Sequence, residues 1–269
     1  MTSRAVCGLA AFGAAATTLV VAASALLRIT ADFDAAGTAH SMLPATMETA
    51  VRMIHRVGAT AAGLAALAVA IAVALQGRAR SGVILTGAIL VLTTFLALLG
   101  RHSAQAPGAA IPVANAMGGT LLACAFAALS VRSCRARTRV EGPAGMAVPV
   151  VTLALVLGAA ASGTLAASGD GNLFNPWHIG LGLAVLGVVA YSVFHGYDMA
   201  RSGCARRLRR ILFAMTVVQL ALGMIVAAIG GSRATTVAWL HAMAGTLLAL
   251  GLASLAARAV VTSDQRPGR

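Results

Sequence analysis

Asn115-Ala-Met-Gly-Gly-Thr-Leu-Leu-Ala123 recurs 126 positions later as His241-Ala-Met-Ala-Gly-Thr-Leu-Leu-Ala249, with seven of the nine positions identical. Each copy opens a long apolar stretch, and each lies about sixty residues after another histidine: 60 after His55 and 63 after His178. A chain that repeats itself at close to half its length of 269 residues predicts a duplicated helical unit, here two sets of four helices. Inside the repeat, the change that matters chemically is Asn115 against His241.

The chain is 59% hydrophobic and 10% charged, more apolar surface than a soluble domain can cover. A membrane span needs about 20 apolar residues, because roughly 30 Å of hydrocarbon is crossed at about 1.5 Å per residue. Eight such segments are present, approximately 6–28, 49–76, 82–100, 111–131, 146–167, 177–200, 211–230 and 236–258. The expected architecture is therefore all-α: a polytopic membrane protein, an eight-helix bundle built from two duplicated four-helix halves. The halves are expected at 1–139 and 140–269, joined in the arginine-rich stretch 132–145. The first segment exceeds a typical signal-peptide core and is followed by further spans, so it is read as helix one.

The net charge of +13 invites a nucleic-acid reading that the placement of the charges rejects. All twenty basic residues are arginines. Arg4, Arg78, Arg80, Arg132, Arg135, Arg137, Arg139, Arg201, Arg206, Arg207, Arg209, Arg210, Arg258, Arg266 and Arg269 fall on one side of the predicted membrane, fifteen in all. Only Arg28, Arg52, Arg56, Arg101 and Arg233 fall on the other. Such asymmetry marks the cytoplasmic side, which predicts both termini in the cytoplasm and a multi-pass protein of the inner (plasma) membrane. The expected surroundings are membrane lipid, with no nucleic acid. Cys7, Cys124, Cys134 and Cys204 lie in helices or near the arginine-rich side, where none can form an outer disulfide; they read as small apolar fillers.

The longest outer connection, about 29–48, carries Asp32, Asp34, His40 and Glu48; its counterpart, about 168–176, carries Asp170 and then Asn175-Pro176-Trp177. Proline just before an apolar run suits a helix start, and tryptophan there suits the membrane interface. Helices two, four, six and eight all run from outside to inside in this topology. His55, Asn115, His178 and His241 open these four helices and share one depth, as a pair of related cofactor sites would require. An ionisable side chain inside a membrane points to function by default, against the plainer reading of an interfacial histidine bonded to nearby backbone. Recurrence in three helices favours the functional reading for His55, His178 and His241; His40, His102 and His195 lie outside the pattern and read as structural.

Neutral imidazole ligates iron, zinc or copper. Zinc usually recruits more ligands, and no Asp, Glu or Cys lies within a turn of His178 or His241. Haem needs only two axial ligands and an apolar slot. Gly180, Gly182, Ala242, Ala244 and Gly245 would let a porphyrin approach, although ordinary small-residue helix packing explains them equally well. Arg56, Arg101 and Arg233 stand where propionates would be met, or serve only as interfacial charges.

These residues are also those of a family. The chain resembles the haem A synthase family of cytochrome oxidase assembly proteins in Met53-Ile54-His55-Arg56, Val218-Gln219-Leu220-Ala221-Leu222-Gly223, Trp239-Leu240-His241 and Leu27-Arg28-Ile29-Thr30. The resemblance implies oxidation of a haem O methyl group to the formyl of haem A. It also implies haem b ligated by His178 and His241, and a substrate haem on His55 with Arg56 beside it. Haem O synthase and cytochrome oxidase assembly factors would be partners, and Glu48, Asp32 or Asp34 the proton donor. The chain departs from the family pattern at Asn115, in place of a second substrate-side histidine, and at Arg52, in place of a glutamate three residues before His55. Ile179 follows His178 in place of an arginine, and the first outer loop has no cysteine. An alternative therefore stands beside synthase activity: a non-catalytic bis-histidine haem b electron-transfer or haem-carrier protein. A transporter or scaffold without haem is a third, although no discontinuous helix or midplane charge pair marks a substrate path.

Overall fold

A computed structural model describes residues 3–33, 39–76, 80–102, 110–134, 143–168, 176–194, 203–229 and 234–263. Eight helices are found among them: α1 (Ser3–Ile29), α2 (Ala45–Leu75), α3 (Arg80–His102), α4 (Ala110–Ser133), α5 (Pro143–Ser168), α6 (Pro176–Phe194), α7 (Gly203–Ile229) and α8 (Thr235–Ser263). Each contains a stretch long and apolar enough to cross a membrane. The all-α polytopic bundle read from the sequence is the observed fold. The expected helix ends differ most at α6 and α7. α6 is described only to Phe194, whereas α7 begins at Gly203, eight residues before its expected start, because its arginine-rich first turns stay helical. The expected boundary at 139/140 lies outside the described residues.

The outer connection after α1 adds a feature with no counterpart in the helical reading. β1 (Ala31–Phe33) and β2 (Ala39–Ser41) pair antiparallel, with Ala31 opposite Ser41, Asp32 opposite His40 and Phe33 opposite Ala39. The Met42 amide donates to the Thr30 carbonyl at 2.8 Å and closes the base of this ladder. Three-residue strands are too short to show a period-two pattern.

On α2 the leucines point outward and small residues inward. Leu64, Leu67, Ile71 and Leu75 of α2 are exposed, while Ala62, Ala65, Ala66 and Ala72 of the same helix are buried. A bundle surrounded by lipid has no reason to hide leucine, and small residues let helices approach closely. Most of the buried threonine hydroxyls return to carbonyls of their own helix, as apolar surroundings favour. Thr120 donates to Ala116 at 2.9 Å and Thr246 to Ala242 at 3.1 Å, so the two copies of the repeat form the same bond.

Contacts divide the helices into two closed rings. α1 packs on α2 and α4, with α3 between them; α5 packs on α6 and α8, with α7 between them. Each ring has its own core, one around Val69, Ile89, Phe126 and Leu129, the other around Val156, Val189, Leu212 and Leu252. The rings meet through α4 against α8, α4 against α5 and α1 against α8. Exchanging α1 with α5 and α4 with α8 maps these contacts onto one another, as an approximate two-fold relation would.

One reading needs correction. Cys7 of α1 and Cys134, just after α4, are not independent fillers but form a disulfide, with their Cα atoms 5.3 Å apart across 127 residues of sequence. The adjacent Ser130 hydroxyl donates to the Cys7 carbonyl at 3.1 Å. The contact of α1 with α4 creates this pairing, and sequence separation conceals it. Cys124 remains a free, buried thiol, as a filler would.

Candidate functional site

His178 sits in the first turn of α6, where Pro176 occupies a helix start at no hydrogen-bonding cost and Trp177 lies exposed beside it. His241 sits two turns into α8. The second ring brings the two together, with ring centroids 5.8 Å apart and planes crossing at 71°. Both rings are half-buried.

Each imidazole is held the same way by the preceding helix. His178 Nδ1 lies 2.8 Å from the Ala159 carbonyl of α5, and His241 Nδ1 lies 2.9 Å from the Gln219 carbonyl of α7. A carbonyl only accepts, so Nδ1 carries the proton in both rings and Nε2 is left with the lone pair. One turn beyond each carbonyl stands a glycine. A β-carbon at Gly163 would lie 2.8 Å from His178 Cε1, and one at Gly223 would lie 3.0 Å from His241 Cε1. A side chain at Gly163 would force the His178 ring to shift, and one at Gly223 would crowd the His241 ring. The seat is therefore a carbonyl at i, a glycine at i+4, and the imidazole of the next helix laid across them. Ser162 Oγ adds a contact to His178 Nδ1 at 3.4 Å.

Two imidazoles with oriented Nδ1 protons and lone pairs on Nε2 make a two-ligand donor set whose orienting bonds are built in; the Gln219 amide nitrogen stands 3.4 Å from His241 Nε2. Their ring centroids, 5.8 Å apart, bring the two histidines close enough that His178 and His241 would hold one metal centre between them. Among the described residues no group of three or more His, Cys, Asp and Glu is gathered as a metal cage would require. The donor set fits a macrocycle that supplies its own equatorial ligands.

The other expected site residues fall in or beside the first ring. His55 is half-buried in α2 and faces the Val20 backbone of α1, but its buried Nδ1 has no partner of hydrogen-bonding geometry. Arg56 beside it is exposed. Glu48, in the first turn of α2, is bound by Arg52, whose Nε donates to Oε1 at 2.7 Å and whose guanidinium closes the ion pair at 2.6 Å. Glu48 thus sits two turns, about 10 Å, along the helix from His55, engaged elsewhere. Asn115 is half-buried in α4. Arg28 donates to the Pro112 carbonyl at 3.2 Å, tying the end of α1 to the start of α4. Arg101 is exposed at the end of α3. The β1–β2 ladder sets Asp32 opposite His40. Asp34, Asp170, His195 and Arg233 lie outside the described residues.

Of the small residues expected to admit a porphyrin, Gly180 borders open space and Gly182 packs near Leu220 at 3.4 Å, as ordinary helix contacts do. Gly245 packs against the Gln219 amide. Sequence reasoning missed Ala159 and Gly163, and it quoted Gln219 and Gly223 without a role. The available signal was a glycine one helix upstream of each histidine, 15 residues before His178 and 18 before His241.

Fold and site together define a multi-pass, all-α membrane protein with an oriented histidine pair in one of its two rings. No family model matches the chain, and no curated protein matches its sequence.

Proposed function

We propose that this chain is a haem-binding protein of the inner (plasma) membrane, with both termini cytoplasmic, in which His178 and His241 hold one haem b and the protein transfers electrons. The observation that carries this reading is the histidine pair: rings 5.8 Å apart, each with Nδ1 bound to a backbone carbonyl and the lone pair placed on Nε2. Haem, when bound, supplies one-electron redox chemistry. The protein's part is to orient both ligands through their Nδ1 bonds and to exclude water with apolar helix faces.

The test is the reduced absorbance spectrum of the purified protein, with extracted haems identified by chromatography. Haem b at about one per chain, lost as fully in His241→Ala as in His178→Ala, is the expected result. Survival of the low-spin spectrum in either variant would sink the assignment.

A second reading is the oxidation of haem O to haem A, carried by the resemblance to haem A synthase, with haem O synthase or cytochrome oxidase assembly factors as partners. One observation favours it: His55 stands in the first ring with a buried ring nitrogen that no protein group satisfies. Glu48 as proton donor would have to leave Arg52. An exposed pair of this kind is worth only about 0–1 kcal/mol, so that contact is no barrier. Haem O or haem A in the extract would decide for this reading.

A further inference from the structure

Gln219 touches His241 twice. Its backbone carbonyl lies 2.9 Å from Nδ1, and its side-chain amide nitrogen lies 3.4 Å from Nε2. Since the carbonyl assigns the proton to Nδ1, Nε2 is the acceptor in the second contact and the amide N–H donates to it. The amide oxygen is buried without a partner, a state that native interiors rarely leave unexplained. Gly245, one turn past His241 on α8, leaves room for this amide: a β-carbon there would stand 3.1 Å from the amide nitrogen.

We infer that Gln219 is a placeholder for the metal at His241, its amide occupying the lone pair that ligation needs. The inference rests on the haem reading and deepens it. The amide is not required to orient the ring, because the Gln219 carbonyl already does so through Nδ1. It stands at the ligating nitrogen. His178 differs: its polar side-chain neighbour, Ser162, approaches Nδ1, on the side away from the lone pair. The two ligands are thus unequal. His178 binds iron without releasing an amide, whereas His241 must first give up Gln219. The same inequality makes His241 the ligand that yields to a competing axial ligand, because the freed imidazole regains its amide.

The experiment titrates the haem-depleted, full-length protein with ferric protoporphyrin IX and then measures carbon monoxide binding to the reduced form. Gln219→Leu keeps the bulk, removes the donor and also removes the unpartnered oxygen; Gln219→Met repeats the test with a more adaptable side chain. Both are expected to bind haem about two- to tenfold more tightly, the range for one modest hydrogen bond. The low-spin band positions should be retained, and carbon monoxide should bind more weakly by a similar factor. A residue that merely packs would not raise one affinity while lowering the other. In haem-free protein labelled with 15N-histidine, the His241 Nε2 resonance should move on Gln219→Leu. Unchanged or weaker haem binding in both folded variants overturns the placeholder and leaves the haem reading standing. Wild-type protein with no low-spin haem signal overturns both.

Discussion

The two rings seat their histidines differently. In the second ring Gly163 of α5 and Gly223 of α7 lie on the helices that precede the histidines, and each is covered by the imidazole of the next helix. In the first ring no close glycine among the described residues is covered by an imidazole. A β-carbon at Gly58 of α2 would meet Val20 of α1 at 2.9 Å, and one at Gly118 of α4 would meet Leu96 of α3 at 2.8 Å. The first arrangement brings a ring onto a carbonyl; the second brings helix onto helix. His55 accordingly faces Val20, whose i+4 neighbour is Ser24 where a seat would need glycine, and its Nδ1 is unpaired. A metal ligand requires an oriented ring as well as a histidine, and only the second ring provides two.

The sharpest way to break this comparison is to add one methyl group to each ring. Gly163→Ala places a carbon 2.8 Å from His178 Cε1 and 3.0 Å from Nδ1, so the imidazole must shift in its seat on the Ala159 carbonyl. Overpacking of this kind costs about 1–3 kcal/mol, or roughly ten- to a hundredfold in haem affinity if it falls on the bound form. Gly223→Ala should cost less, because its nearest contacts are 3.0 and 3.4 Å. Gly58→Ala should lower thermal stability and leave the haem spectrum intact. A spectrum damaged as badly by Gly58→Ala as by Gly163→Ala would show that the rings do not divide the work this way.

Asn115→His sharpens the comparison from the other side. It copies the residue found at the equivalent repeat position and adds a second imidazole to the layer that holds His55. A second low-spin haem per chain is the expected outcome in a haem titration followed by absorbance. It should be held about tenfold more weakly than the first, since a missing orienting bond is worth about 0.5–1.5 kcal/mol. No new signal would mean that His55 and position 115 do not face a common site.

How much of this was legible beforehand follows from the distances involved. Eight spans are a local property of hydropathy, and the duplication was read from the identity of Asn115–Ala123 with His241–Ala249. The pairing of His178 with His241 also came from sequence, through helix direction and depth. What sequence could not show was contact between elements. Cys7 and Cys134 are 127 residues apart, and only the packing of α1 on α4 joins them. The glycine seats were hidden for the same reason, since Gly163 and Gly223 resemble any other small residue in a membrane helix. Glu48 looked available because an i+4 arginine is a common surface neighbour and says nothing about engagement until the geometry is seen.

The rings are joined by one polar bond of particular interest, because it runs between their two histidine layers. Trp239, two residues before His241, donates its Nε1 proton to the Ala22 carbonyl of α1 at 2.9 Å, and Ala22 lies two residues from Val20, which faces His55. Trp239→Phe keeps most of the bulk and removes the donor. Thermal unfolding in detergent should report a loss of about 0.5–1.5 kcal/mol, with haem b content unchanged. Loss of haem along with stability would mean that the second ring depends on the first to hold its ligands.

The smallest effect belongs to the Glu48–Arg52 pair, the first ring's only ion pair among the described residues. Its side chains are 24% and 58% exposed respectively, and solvent at that exposure screens most of the attraction. A double-mutant cycle with Glu48→Gln and Arg52→Gln should give a coupling below about 1 kcal/mol that shrinks further in salt. Neither variant should move the haem b spectrum, because both residues stand in the first ring. A coupling well above that range would mean that the pair is shielded from water. Glu48 would then be held too firmly to serve as a proton donor beside His55, and the electron-transfer reading would gain at the expense of the synthase reading.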